Sequence, residues 1–185
     1  MSLLPAAVRI GVTGEVNVAQ VGSTAPTDAT TALDAAFTGL GLVSEDGVTE
    51  SWDDSVDNIK AWQNNMIVRA QTTDSVATFQ FVMIETKGKT IEAYYKGSTI
   101  TATGLGKWKI DVKGAQSDPR AWVIDVVDAT KHYRIYVPTG EITERGEIVY
   151  SNGEPIGYDV TLTCYADANG VLFTKFADDA NWGYS

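Results

Sequence analysis

The stretch AWVIDVVDATKHYRIYVPTGEITERGEIVY, residues 121–150, decides the fold. It splits into three extended segments, Ala121 to Asp128, His132 to Pro138 and Glu141 to Tyr150. All three are rich in the β-branched and aromatic residues that fit a pleated surface. Thr139-Gly140 supplies turn chemistry between the last two. Downstream, Ile156 to Ala166 and Val171 to Phe176 read as further strands, set off by Asn152-Gly153 and Asn169-Gly170. Asn-Gly between extended segments is a strong hairpin signal, because both residues tolerate a positive φ. Upstream, Ser98 to Thr103 and Trp108 to Lys113 are bounded by Gly104 and Ser117-Asp118-Pro119. Many short strands with closely spaced turns predict a mainly β chain, an antiparallel sandwich or barrel.

The period changes before these strands. From Thr86 to Lys96 the apolar residues Ile91, Tyr94 and Tyr95 recur at helical spacing, and Gly97 is placed to end the helix. A flanking helix over 86–97 is therefore expected at an open end or face of the β structure. Ahead of it, Ala77 to Glu85 is a strand with Phe79, Phe81 and Met83 on one face. Val8 to Ala19 alternates as a strand. A short helix is expected from Pro26-Thr27-Asp28, with Thr27 or Asp28 as N-cap and Leu33, Phe37 and Leu40 at helical spacing.

GLVSEDGVTESWDDSVDNIKAWQNN, from Gly41 to Asn65, fits neither pattern. It carries Glu45, Asp46, Glu50, Asp53, Asp54 and Asp57, yet also Trp52 and Trp62. Val48 to Asp57 and Met66 to Thr73 are extended segments, with Asn64-Asn65 placed for a turn between them. The pair predicts a long hairpin arm within a protruding region 41–75. An isolated hairpin is marginal in water, so this arm needs a partner surface.

With 185 residues, the chain is long enough for one domain with a sizeable core. An apolar share of 44% and a charged share of 21% are ordinary for a globular protein. No apolar run is long enough to span a membrane. The opening MSLLPAAVRIG lacks a basic region and is broken by Pro5, so no signal peptide is expected. A formal charge of -10 argues against holding nucleic acid through its phosphates. The single cysteine, Cys164, excludes an intramolecular disulfide and a cysteine zinc cluster.

Catalytic signals are weak. His132 and Cys164 form a dyad only if their strands are neighbours, while in YDVTLTCYA the residues Val160, Leu162 and Cys164 share a face as core residues do. Asp167-Ala168-Asn169-Gly170 resembles a calcium-loop fragment, but Phe173 and Thr174 stand where further oxygen ligands are needed. Asp53, Asp54 and Asp57 read as solvated charge rather than a chelate. The glycines of GVTGEV and TGLGLV lack the strand-loop-helix context of a phosphate loop. No enzyme, cofactor or metal site is expected.

PTDATTALDAAFTGLGLVSEDGVTES, then IKAWQ, then FQFVMIETKGKTIEAYYKG, resembles the major tail proteins of long, non-contractile-tailed (siphovirus-type) phages that infect actinobacteria. The matching segments are Pro26 to Asp28, Leu40 to Ser51, Ile59 to Gln63 and Ile84 to Gly97, in order, over about a third of the chain. From Ser98 on, the similarity is only one of β-rich character.

That resemblance implies one tail tube domain over 1–185: an N-terminal strand and arm (1–25), the protruding hairpin (41–75), the flanking helix (86–97) and a C-terminal tail (177–185). It implies hexameric rings closed by sheet-to-sheet pairing and stacked into a tube. The implied partners are further copies of the chain, a tape measure protein, and tail terminator and tail-tip proteins. Genomic DNA passes through the lumen without specific binding, and no membrane is involved. The protein would reside in the virion tail after assembly in the host cytoplasm. Trp52 and Trp62, with Asp53, Asp54 and Asp57, are then the expected inter-ring contacts. Asp125, Asp128, Glu141, Glu144, Glu147 and Asp159 are candidates for an acidic lumen wall that repels phosphate. In FADDANWGYS, Trp182 and Tyr184 hint at docking. The alternative is a non-catalytic β-sandwich binding module, a virion decoration or a carbohydrate or receptor binder.

Overall fold

A computed structural model describes residues 4–114 and 116–183; Tyr184 lies outside them. The chain runs through β1 (Thr13–Gln20), β2 (Thr38–Gly39), β3 (Val43–Lys60), β4 (Ile67–Met83), α1 (Gly88–Tyr94), β5 (Ile100–Gly104) and β6 (Lys107–Ile110). It continues with β7 (Arg120–Asp128), β8 (Lys131–Arg145), β9 (Tyr158–Cys164) and β10 (Thr174–Ala177). Eight strands form one antiparallel sheet in the order β2-β1-β7-β8-β9-β4-β3, with β10 also pairing β8. β5 and β6 make a separate hairpin.

The mainly β, antiparallel class with one helix is as expected. The sandwich or barrel is realised as a single open sheet. Val16 of β1 and Trp122 and Ile124 of β7 share one apolar cluster with Phe79 and Phe81 of β4 and Val160 and Leu162 of β9. The two wings therefore face each other across one core, joined through β8. Residues 131–140 of β8 pair with β7 on one edge; on the other, β10 and β9 follow each other in line. The sheet stays open between β1 and β3, and the chain around Leu40 bridges the gap. The Leu40 amide donates to the Val16 carbonyl (2.8 Å), and the Ile84 amide to the Leu42 carbonyl (2.9 Å).

Three local expectations are corrected. The helix predicted from Pro26 to Leu40 does not form: the segment is a series of bends. The Asp28 carboxylate accepts from the amides of Thr30 (2.7 Å) and Thr31 (2.6 Å), and the Arg134 guanidinium takes the carbonyls of Asp28 (3.1 Å) and Thr31 (2.7 Å). Those carbonyls are thus withdrawn from any helical ladder, and the paired threonines disfavour one. Leu33 and Phe37 instead pack on a small second cluster with Val123 and Tyr136.

Thr139-Gly140 is no turn; β8 runs straight through it. A side chain at Gly140 would meet Leu162 and Val137, and the Trp122 indole donates to the Gly140 carbonyl (3.0 Å). The glycine serves a close approach at an irregular register. Lastly, the strand predicted from Val8 begins only at Thr13.

α1 closes one end of the core, as its period suggested. Ala93 and Tyr94 join the apolar cluster, and buried Thr90 donates its hydroxyl to the Leu40 carbonyl (2.6 Å). The Tyr94 hydroxyl donates to the Gly146 carbonyl (2.6 Å), and its ring meets Tyr158 edge-on. The helix is shorter than the expected 86–97: it ends at Tyr94 with Tyr95 as its C-cap, and Gly97, at φ 71, lies two residues past that cap in the turn that leaves the helix.

Candidate functional site

β3 and β4 form a hairpin of 18 and 17 residues, turning at 61–66. Its turn places Asn64 and Asn65 at φ 56 and 57, a left-handed conformation that asparagine tolerates. Only the proximal part belongs to the core: Ala77, Phe79, Phe81 and Met83 are buried, and β4 there pairs with both β3 and β9. β9 reaches only as far as Thr78. Beyond it, among the described residues, the two strands pair only with each other. The distal part extends roughly 30 Å, taking about ten residues at ~3.3 Å each.

The two tryptophans occupy opposite ends of this free segment. Trp52 sits at the root and is 51% exposed. Its ring lies 5.6 Å from Phe173, which in turn packs edge-on against Phe79. Its indole N–H donates to Glu50 (3.0 Å), and Glu50 is held by Lys175 (2.6 Å). Trp52 is therefore half integrated into its own subunit. Trp62, at the tip, is 98% exposed. Val56, Ile59, Met66, Ile67 and Val68 are exposed alongside it.

Asp53, Asp54 and Asp57 are all exposed on the arm. The Asp54 carboxylate accepts from the Ser75 hydroxyl across the ladder. Asp53 and Asp57 lie on the other face, with Asp74 beside them, because strand alternation and the register place them there. Among the described residues no ion pair involves Asp53 or Asp57.

The six acids proposed for a lumen wall do not form one group. Asp125 grips the buried Arg134 guanidinium at two points, 2.7 and 3.2 Å. Asp128 accepts from the Ile10 amide (3.3 Å). Glu147 lies exposed in the connection after β8. Glu141, Glu144 and Asp159 do share a face, the outward side of β8 and β9, with Thr143, Thr161, Thr163 and Gln80. Within that face Glu141 is paired with Lys96 at 2.8 Å and accepts from the Asp118 amide. Those donors hold its carboxyl below the usual range against the upward push of burial.

The residues weighed for catalysis are kept apart. His132 faces Val127 and Cys164 faces Gly140, eight positions away along β8, or roughly 26 Å at ~3.3 Å per residue. Burial pushes the Cys164 thiol up to about 12, which keeps it an inert core group. Asp167 accepts from the amides of Asn169 and Val171, so DANG is an Asx turn.

One surface escaped the sequence reading. Residues 87–113 contain six lysines against two acids, a net charge of +4 in a chain of net charge -10. Lys89 on α1 and Lys107, Lys109 and Lys113 on and after the β5–β6 hairpin are exposed, as are Trp108 (68%) and Leu105 at the hairpin turn, whereas Lys96 is held by Glu141. The signal was a local count of lysines, masked by the acidic total.

The profile of a family described as phage tail tube protein matches residues 1–184. No curated protein matches the chain. Among solved structures, a chain from the virion of a native gene transfer agent particle aligns with 11% identity and a TM-score of 0.41. The alignment covers 77% of this chain and 92% of that one, a likeness too slight to carry argument.

Proposed function

The chain belongs to the phage tail tube protein family, and from that premise we propose that it polymerises as stacked hexameric rings whose lumen conducts DNA during ejection. The family is structural, so the chain is a virion tail component and not an enzyme. The proposed setting is a long, non-contractile tail of a phage of actinobacteria, assembled in the host cytoplasm. A tape measure protein, a tail terminator and tail-tip proteins are the proposed partners.

The observation that carries this reading is the distal β3–β4 hairpin. Two bare strands with exposed Ile59, Trp62, Met66 and Ile67 cannot bury their apolar side chains within one subunit. A neighbouring ring provides the missing surface, with aromatic anchors at its centre. The outward face of β8 and β9 is the proposed lumen wall. Glu144 and Asp159 keep it negative, threonines keep it free of cationic hold on phosphate, and Glu141 contributes less because Lys96 neutralises it. The body carries further open edges: β3 pairs with β4 alone, and β2 covers only two positions of β1. Ring closure satisfies such edges at once.

Negative-stain electron microscopy of the concentrated protein, alone and seeded with tail-tip components, tests the reading. Stacked rings with an open lumen are expected in the seeded sample. Monomers there would turn the assignment toward a non-catalytic binding module and a glycan screen.

A further inference from the structure

We propose that the lysine-rich face made by α1 and the β5–β6 hairpin is the seat for the β3–β4 arm of a second copy of this chain. This rests on the tube reading and adds to it the partner surface that the arm contacts.

Charge complementarity comes first. Residues 45–76 of the arm and its root hold seven acids against two bases, a net charge of -5. The segment 87–113 is the opposite, at +4. Elsewhere on the body the cations are largely committed within the subunit. Arg9 pairs with Asp179, Arg120 with Asp118, Arg134 with Asp125 and Lys175 with Glu50. Arg145 lies over the Tyr94 ring. On the lysine-rich face Lys89 pairs with Glu92 (3.1 Å), Lys109 with Asp111 (2.7 Å) and Lys96 with Glu141 (2.8 Å), while Lys107 and Lys113 are exposed and, among the described residues, take part in no ion pair.

Shape and apolar character agree with charge. A groove of about 450 Å³ lies where α1, the β5–β6 hairpin and β2 meet, lined by Lys87, Gly88, Lys89 and Glu92, by Ile100 and Trp108, and by Thr38 and Gly39. Such a groove takes an indole between an aromatic wall and lysine stems, which pack along apolar surface while their charges stay in water. Trp62, at the tip of the arm, is the matching anchor. Asp53 and Asp57 lie roughly 13 Å apart on one face of β3, at ~3.3 Å per residue. They give two separated points for lysines, which fixes register as well as attraction.

A charge exchange tests it. Asp53→Lys with Asp57→Lys reverses the arm; Lys89→Glu with Lys107→Glu reverses the seat. Each pair alone is expected to raise the critical concentration for seeded tube growth about tenfold or more, because like charges meet across the contact. All four changes in one chain are expected to recover most of that loss. A four-fold variant no better than either pair, while each pair keeps its monomer melting temperature, overturns the assignment. So does a Lys89→Glu/Lys107→Glu variant that grows tubes like the wild type. Carbodiimide cross-linking of wild-type polymer is independent of any variant's folding: links between arm peptides and peptides holding Lys89, Lys107 or Lys109 are expected, and arm links confined to other lysines would overturn it. If wild-type protein forms no polymer even when seeded, the tube reading itself has failed and this inference falls with it. Wild-type tubes with an unaffected lysine variant sink the seat alone.

Discussion

Along the proximal half of the β3–β4 hairpin, Ala77, Phe79 and Met83 are wholly buried; along the distal half, every residue from Ser51 to Ser75 except Ala61 is exposed. The ladder is continuous between them. What differs is the third partner. β9 and the far wing of the sheet cover the proximal half; among the described residues no third strand pairs with the distal half, whose root touches the body through Trp52 on Phe173. Tertiary packing, more than strand propensity, decides where a strand is stable on its own. A segment left outside that packing keeps its sequence for another purpose, and aromatic and acidic residues together suit a protein contact.

Truncating one apolar side chain in each half should break or uphold this comparison most visibly. Phe79→Ala empties a packed core position and is expected to cost about 3–5 kcal/mol in chemical denaturation. Ile59→Ala is expected to cost under about 0.5 kcal/mol in the free subunit. Similar losses at the two sites would mean that the arm folds back onto its own body. The charged groups divide in the same way. Asp125→Ala leaves the Arg134 guanidinium buried without its carboxylate, and about 3 kcal/mol should be lost. Asp57→Ala should leave the free subunit's midpoint unchanged while slowing polymer growth. The two tryptophans sharpen the boundary. Trp52→Ala loses its contact with Phe173 and should cost about 1–2 kcal/mol, whereas Trp62→Ala should leave the melting temperature alone and weaken assembly.

The smallest effect concerns the turns. The β7–β8 turn holds Ala129 at φ 51, where a Cβ is strained, while the arm uses asparagines. Ala129→Gly should raise stability by roughly 0.5–1 kcal/mol; Asn64→Gly should change it by less than about 0.5 kcal/mol.

Much of this was legible in the residues. Alternation at Phe79, Phe81 and Met83, and at Val160, Leu162 and Cys164, gave the core face of β4 and β9 directly. Helical spacing before Gly97 gave α1, and Asn64-Asn65 gave the turn of the arm. Other features depend on contacts distant in sequence. Arg134 captures the carbonyls of Asp28 and Thr31 from about a hundred positions away and holds open a segment whose apolar spacing suits a helix. Gly140 carries turn chemistry, yet Trp122 and Leu162 use its missing side chain for close packing. The proposed lumen acids looked alike in sequence, although Asp125 is bound to Arg134 and Glu141 to Lys96. The lysine-rich face was there to be counted, but net charge averages over the chain and conceals a local excess of the opposite sign.

The most direct test of the central claim is amide hydrogen exchange, compared between free subunits and assembled tubes. In the free subunit, amides of residues 51–76 should exchange far faster than those of 77–83, because only one neighbouring strand protects them. In the tube, protection of 51–76 should rise toward that of the core. Arm amides that exchange at the same rate in both states, in tubes shown to be intact, would contradict the claim that the distal hairpin is completed by another subunit.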